Sequence, residues 1–242
     1  MISKNEINKL ALEQKVRTTT IDKDWVLGHF IDAIYTIPEC RNNLIFKGGT
    51  CLKKCRFPSY RFSEDLDFTA ISDNFVFDMT MLKKIVGLVA ERTEMLLHVQ
   101  SLEKMLFSPE IANVIHNYSD KLTENAQNIP IYSINEVLAE KIRALIQRSY
   151  TAPRDYFDIW YLSKHVETID WKEIVKGFSK KVEYKNLQFS GVEQLINENN
   201  DKILKSAWIN SLEHQIESGK LPKYEIVRND LKILFEKIFK DK

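Results

Sequence analysis

Between Lys4 and Val16 the apolar positions fall at Ile7, Leu10, Ala11 and Val16, a spacing near the helical period that predicts a weakly amphipathic helix. A more apolar helix is predicted through Trp25, Val26, Phe30, Ile31 and Ile34, with N-cap candidates in Thr20-Ile-Asp-Lys-Asp24 and a stop at Pro38. The pattern then shortens. Leu44-Ile-Phe46 reads as a strand, Gly48-Gly49 as a turn, Thr50 to Cys55 as a helix, and the run holding Ser63, Asp65 and Asp67 as a second strand. Asn74 or Asp78 is the expected cap of a long helix with its stripe at Met81, Leu82, Ile85, Leu88, Val89 and Leu96. His98 to Phe107, Ile111 to Tyr118 and Ile129 to Ser133 read as strands, and Ser119 to Asn128 as a loop or hairpin turn.

Ser133-Ile-Asn-Glu136 has the S-x-x-E form of a capping box, ahead of a helix from Asn135 to about Ser149 with Leu138, Ile142, Leu145 and Ile146 inward. From Pro153 on, the pattern is helical, with breaks expected at Gly177, Gly191 and Gly219-Lys-Leu-Pro222 and a last helix from Tyr224 to Phe239. The expectation is an α/β (α+β) fold: a domain at 1–133 with a small mixed sheet, then an all-helical domain at 134–242.

Charge narrows the choice of partners. Lys+Arg 35 against Asp+Glu 34 leaves a net charge of +1, so no overall field favours nucleic acid, and a nucleic-acid partner needs a local basic face. Lys172, Lys176, Lys180, Lys181 and Lys185 form one candidate; a solvated helix face is the plainer reading. Cys40, Cys51 and Cys55 lack zinc-finger spacing and are expected to be reduced thiols. The Met1-Ile-Ser-Lys-Asn start leads into a charged helix, and no apolar run approaches the roughly 20 residues of a membrane span. Together these predict a cytoplasmic protein with no membrane partner.

The candidate chemistry sits where the pattern shortens. The chain has only 7 glycines, and two are adjacent at Gly48-Gly49, between a strand and a helix. Such a turn points free backbone N–H groups at the helix start, where an anion binds well. Asp65 and Asp67 follow in a strand-like run, so both carboxylates project to one face while Leu66 goes inward. Paired carboxylates repel unless a cation lies between them. An anion cradle beside a divalent-metal pair suits a nucleoside triphosphate with Mg²⁺ or Mn²⁺. Ser63 lies on the same strand face as a phosphate- or metal-orienting candidate, and Glu64 points the other way.

Gly48-Gly-Thr-Cys-Leu52 and Arg61-Phe-Ser-Glu-Asp-Leu-Asp-Phe68 resemble the first two motifs of the AbiEii/AbiGii toxin family, bacterial nucleotidyltransferase-fold proteins of toxin–antitoxin and abortive-infection systems. Glu136-Val-Leu-Ala-Glu-Lys-Ile-Arg-Ala-Leu145 resembles the family's lysine-containing third motif. Arg154-Asp-Tyr-Phe-Asp-Ile159 resembles its fourth. The resemblance spans about residues 20 to 165. It implies a nucleotidyltransferase-like first domain and transfer of a nucleoside monophosphate from an NTP to an acceptor, such as RNA at the 3′ end of tRNA. It further implies a cognate antitoxin. On this reading Gly48, Gly49 and Thr50 cradle phosphates, Asp65 and Asp67 hold metal, and Ser63 and Lys141 bind triphosphate. Asp158, with Asp155 as the alternative, is the fourth-motif acid, which would activate or position the acceptor, and Asp155 is also a nucleotide-binding candidate.

The residues of the later motifs carry readings of their own. Glu136, Glu140, Arg143 and Gln147 share one helix face, expected to be solvated and held by Glu–Arg pairs. Lys141 shares another side with Arg148. Asp155 and Asp158 lie one turn apart among aromatics and need partners; Arg154, Lys141 and Arg148 are the available cations. The chain departs from the usual nucleotidyltransferase pattern at Ile111 to Tyr118, which carries no third carboxylate; His116 is its only candidate base. That departure supports a second hypothesis, a nucleotide- or RNA-binding module without turnover. A D-x-D glycosyltransferase is a more distant alternative.

Overall fold

The computed structural model describes residues 2–89, 98–100, 105–148 and 152–240. They fall into two compact units. The first comprises the described residues of Met1–Glu103, Ser108–Tyr132 and Gln215–Ser218; the second comprises those of Lys104–Phe107, Ser133–His214 and Gly219–Lys242.

The first unit is built on a five-stranded mixed sheet: β1 (Leu44–Lys47), β2 (Asp67–Ala70), β3 (His98–Gln100), β4 (Glu110–Ala112) and β5 (Ile129–Ile131), in the order β3-β2-β1-β5-β4. β1 runs antiparallel to β2 and parallel to β5. Helices α1 (Lys4–Gln14), α2 (Thr18–Thr36), α3 (Pro38–Asn43), α4 (Gly48–Cys55) and α5 (Met79–Val89) complete it. α2 is buried almost all round. Trp25, Leu27, Phe30, Ile31, Ile34 and Tyr35 join Leu44, Phe46 and Phe68 of the sheet in one core. Phe46 and Phe68, paired across β1 and β2, stack with centroids 5.1 Å apart. Burying a side chain of this size contributes roughly 1.5–3 kcal/mol.

Several details differ from the sequence expectations. α2 begins at Thr18 with Arg17 at its cap position and no side-chain cap, because the Thr20–Asp24 candidates lie inside the helix. Pro38 does not simply stop it: its fixed φ and missing N–H also suit the first turn of α3. Asp78, not Asn74, caps α5 by accepting from the Met81 N–H at 2.8 Å. Leu88 is 57% exposed and lies off the buried stripe of Ile85 and Val89; Leu96 lies outside the described residues. Strand structure at 110–118 is confined to β4, since only Glu110–Ala112 pairs with β5. The second strand starts at Asp67, so Ser63 and Asp65 precede it and do not lie within it, because β1 ends opposite Asp67, at Lys47, where the chain turns into α4.

The second unit is helical: α6 (Ile134–Gln147), α7 (Pro153–His165), α8 (Trp171–Tyr184), α9 (Glu198–Leu212) and α10 (Tyr224–Ile238). Its buried side chains include Leu138, Ile142, Ile159, Leu162, Phe178, Trp208, Leu231 and Phe235. Ser133 caps α6 through the Glu136 N–H at 3.2 Å, but the Glu136 carboxylate does not close a capping box. It is fully buried, accepts from the Leu106 and Phe107 N–H groups at 2.9 Å each, and pairs with Lys181 at 2.6 Å. The Glu136–Arg143 face is therefore interior, because Glu136 and Arg143 are both buried, although Arg143 does approach Glu140 at 3.9 Å. Lys181 leaves the proposed basic face for the same reason. Gly177 does not break a helix. It lies inside α8, where a Cβ would be 2.7 Å from the Phe107 ring, so close packing and not chain reversal requires glycine there.

Candidate active site

In the first unit the Gly-Gly turn forms as the sequence predicts. Lys47 is extended and Gly48 takes φ +85°, a conformation that favours glycine, at the first residue of α4. The acidic segment folds back onto this turn. A Cβ on Gly48 would lie 2.3 Å from Asp67 Oδ2, so the carboxylate occupies the space a side chain would take. At Gly49 a Cβ would be 2.9 Å from Ser63 Oγ and 3.0 Å from Arg61 Nη2. Ser63 and Arg61 thus close on the second glycine as Asp67 closes on the first.

Thr50 explains how the segment stays there. Its buried hydroxyl donates to the Asp65 carbonyl at 2.5 Å. Asp65 precedes β2 and is exposed, Leu66 is buried, and Asp67 is half-buried, so the inward–outward alternation begins before the strand does. Glu64 is exposed and turns to Lys23, 2.9 Å away.

Arg61 is the residue that sequence reasoning left without a role. Its guanidinium is buried and donates to Gln215 Oε1 at 2.8 Å and to the Phe62 carbonyl at 3.3 Å. Arg61 brings fixed positive charge to a turn suited to anions.

His116 does not stand as a free base. Its Nε2 lies 3.0 Å from Asp120 Oδ1, and Nδ1 is buried against Gly28 with no partner. Burial holds its pKa below the usual imidazole value, although Asp120 pulls the other way. Burial also raises the Asp120 pKa, but hydrogen bonds from His116 and Trp25 and the nearby imidazoles outweigh it and hold the carboxyl at about 2.

The thiols are free, as expected, and burial raises Cys51 and takes Cys40 up to about 11, so neither is a thiolate near neutral pH.

In the second unit Lys141 reaches from α6 to both acids of α7. Its Nζ lies 2.6 Å from Asp158 Oδ2 and 3.1 Å from Asp155 Oδ1, and Arg148 approaches Asp155 at 3.3 Å. Asp158 is fully buried, and Lys141 keeps its side chain 16% exposed. The pairing expected of these acids is thus present, with Lys141 between them and Arg148 beside Asp155.

A divalent ion fits the acidic pair on donor chemistry. Asp67 supplies a hard carboxylate oxygen against the Gly48 turn, and exposed Asp65, two residues before it, supplies a second carboxylate. Mg²⁺ is commonly held by one or two carboxylates with substrate phosphates and water completing its shell, so two acids suffice.

The model of the family described as "Nucleotidyl transferase AbiEii toxin, Type IV TA system" matches residues 30–98 and 98–230. The solved structures that match include one titled as the crystal structure of JHP933 from Helicobacter pylori, with 16% identity, 93% of this chain and 94% of that chain covered, and a TM-score of 0.49. No protein of curated function matches. Among the described residues no helix is long and apolar enough to cross a membrane. The fold is α/β in its first unit, a small mixed sheet with helices, and helical in its second. By the extent of the family match, this chain belongs to the AbiEii nucleotidyl transferase toxins of type IV toxin–antitoxin systems.

Proposed function

We propose that the protein transfers a nucleoside monophosphate from an NTP to RNA, with the 3′ end of tRNA as the acceptor, in a Mg²⁺-dependent reaction. The observation that carries this is the closure of Asp67, Ser63 and Arg61 onto Gly48-Gly49, which sets acid, hydroxyl and guanidinium around one anion-binding turn. The Gly48 and Gly49 backbone and Arg61 bind phosphate oxygens, and Ser63 orients them. Thr50 acts by fixing the Asp65 backbone. Asp65 and Asp67 would hold Mg²⁺, or Mn²⁺ in its place, which when bound supplies charge neutralisation at the triphosphate. The acceptor hydroxyl oxygen bonds to the α-phosphorus as the bond to pyrophosphate breaks, with the hydroxyl proton lost to base or solvent.

Lys141 is assigned to triphosphate charge by its motif, and Asp158 to positioning it, with Asp155 as its second anchor. The toxin role implies an antitoxin partner, and NTP and tRNA place the reaction in the cytoplasm. Lys172, Lys176, Lys180 and Lys185 remain candidates for RNA contact, Lys176 being paired with Glu173.

The test is incubation with each α-³²P-labelled NTP, Mg²⁺ and total tRNA, beside the Asp65→Ala/Asp67→Ala variant. Label entering tRNA only with the wild type supports the reading and names the nucleotide. NTP binding without transfer to tRNA or other RNA overturns it in favour of a binding module.

A further inference from the structure

His29, His116 and Asp120 form a second constellation, built from residues the transferase reading does not use. Among the described residues, it is the group of three or more His, Cys, Asp or Glu side chains that could share a metal ion, with ligand atoms within 4.8 Å of one another. His29 comes from the middle of α2, and His116 and Asp120 come from the segment after β4. His29 Nε2 lies 3.1 Å from Asp120 Oδ2, and His116 Nε2 lies 3.0 Å from Asp120 Oδ1. The two rings meet nearly edge to face, with centroids 5.2 Å apart. Both Nε2 atoms therefore converge on one carboxylate.

The surroundings orient the set. Trp25, one helical turn before His29, directs its indole N–H at Asp120 Oδ1 and Oδ2 (3.1 and 3.0 Å) and fixes the carboxylate plane. His116 Nδ1 is buried against Gly28 without a partner, so Nε2 is the nitrogen this ring presents. Lys54, whose charge acts on His116, does not oppose a cation with bare charge: it pairs with buried Asp24 at 2.6 Å. His29 and Asp120 keep side-chain exposures of 15% and 16%, which leaves a path for an ion and a water.

We propose that His29, His116 and Asp120 bind a Zn²⁺-class ion that fastens the 113–123 segment to α2. Zn²⁺ sits about 2.0–2.2 Å from imidazole nitrogen and carboxylate oxygen, which places tetrahedral ligand atoms about 3.3 Å apart. Both His–Asp pairs lie near that separation, and modest rotation of the rings brings the remaining pair to it. Two imidazoles and one carboxylate suit Zn²⁺ and its spectroscopic substitute Co²⁺, whereas Mg²⁺ prefers an all-oxygen shell. Water fills the fourth position. The role is structural: the segment from Asn113 to Tyr118 carries no helix or strand, and the ion would anchor it to a buried helix.

The experiment uses the full chain after chelation. Zn²⁺ is titrated calorimetrically, and Co²⁺ is followed through its visible d–d absorption. The expected result is one Zn²⁺ per chain, a tetrahedral Co²⁺ spectrum displaced by Zn²⁺, and affinity weakened more than about tenfold in His29→Gln and in Asp120→Asn. His29→Gln carries the test because the side chain is partly exposed, and circular dichroism verifies its fold. The Asp65→Ala/Asp67→Ala variant keeps Zn²⁺ binding. Absence of a Co²⁺ spectrum, equal affinity in His29→Gln and the wild type, or loss of binding with Asp65 and Asp67 would each overturn the proposal.

Discussion

The Asp67 carboxylate occupies the volume that a Gly48 side chain would fill, with Oδ2 2.3 Å from the place of the missing Cβ. The acid and the glycine are therefore one device: on the proposed reading the turn binds an anion while Asp67 turns a carboxylate oxygen against it.

Gly48→Ala tests that device. The new methyl displaces Asp67, and φ +85° strains any L-residue by about 1–3 kcal/mol. Displacing a reacting group by about 1 Å can cost on the order of a hundredfold in rate. Gly219→Ala is the matched control, since Gly219 has φ +86° but open space around it. Both variants are expected to lose similar stability in urea unfolding, and Gly48→Ala alone to lose nucleotide transfer by about a hundredfold or more. Equal activities in the two variants would separate Asp67 from the turn.

What the sequence revealed here depended on short range. A rare Gly-Gly pair between a strand and a helix was enough to predict the turn at Gly48, and the acidic run that follows lies close enough in sequence for Asp67 and Ser63 to fold back onto it. Lys141, Asp155 and Asp158 could be read as partners because helical spacing made them candidates for ion pairing. Glu136 could not be read this way. On the α6 pattern it belongs to a polar face, but it is buried by Leu106, Phe107 and Lys181, which lie 29 or more residues away in sequence. Gly177 misled for a related reason: its constraint is the Phe107 ring and not its own helix. The His29–Asp120 meeting spans 91 residues, and no local pattern announces it.

The buried Glu136–Lys181 pair predicts a strong asymmetry between neighbouring lysines. Lys181→Met leaves a buried carboxylate with two N–H donors among the described residues, and removing one member of such a pair costs about 3–5 kcal/mol. Lys180→Met, at an exposed position, is expected to stay within about 0.5 kcal/mol. Urea midpoints at matched m-values measure both. Near-equal losses would mean that the pair does not stabilise the helical unit.

Gly177→Ala sets two opposing effects against each other. Alanine favours a helix interior by about 1 kcal/mol, but its Cβ would sit 2.7 and 2.8 Å from two carbons of the Phe107 ring. Overpacking costs about 1–3 kcal/mol, so the net expectation is destabilisation. Phe107→Leu in the same chain is expected to turn the alanine from a loss into a gain. A stabilising Gly177→Ala single variant would show that the ring can move aside.

Lys53 gives stability a dependence on alkaline pH. Burial lowers its ammonium from 10.5 to about 8, with Lys54 adding to the fall and Asp24 opposing it. The group donates to the Pro58 carbonyl at 2.6 Å and lies 4.0 Å from the Phe62 ring centroid. Below about pH 8 both folded and unfolded chains carry the proton, and the buried charge weighs against the fold. Between about 8 and 10.5 the unfolded chain keeps a proton that the folded chain has released, so stability from this group rises with pH. Comparing urea unfolding at pH 7.5 and pH 9.5, the wild type should gain about 1–2 kcal/mol more than Lys53→Met, whose methionine cannot titrate. Parallel changes in the two proteins would mean that the Lys53 ammonium is no harder to keep charged in the fold than in the unfolded chain.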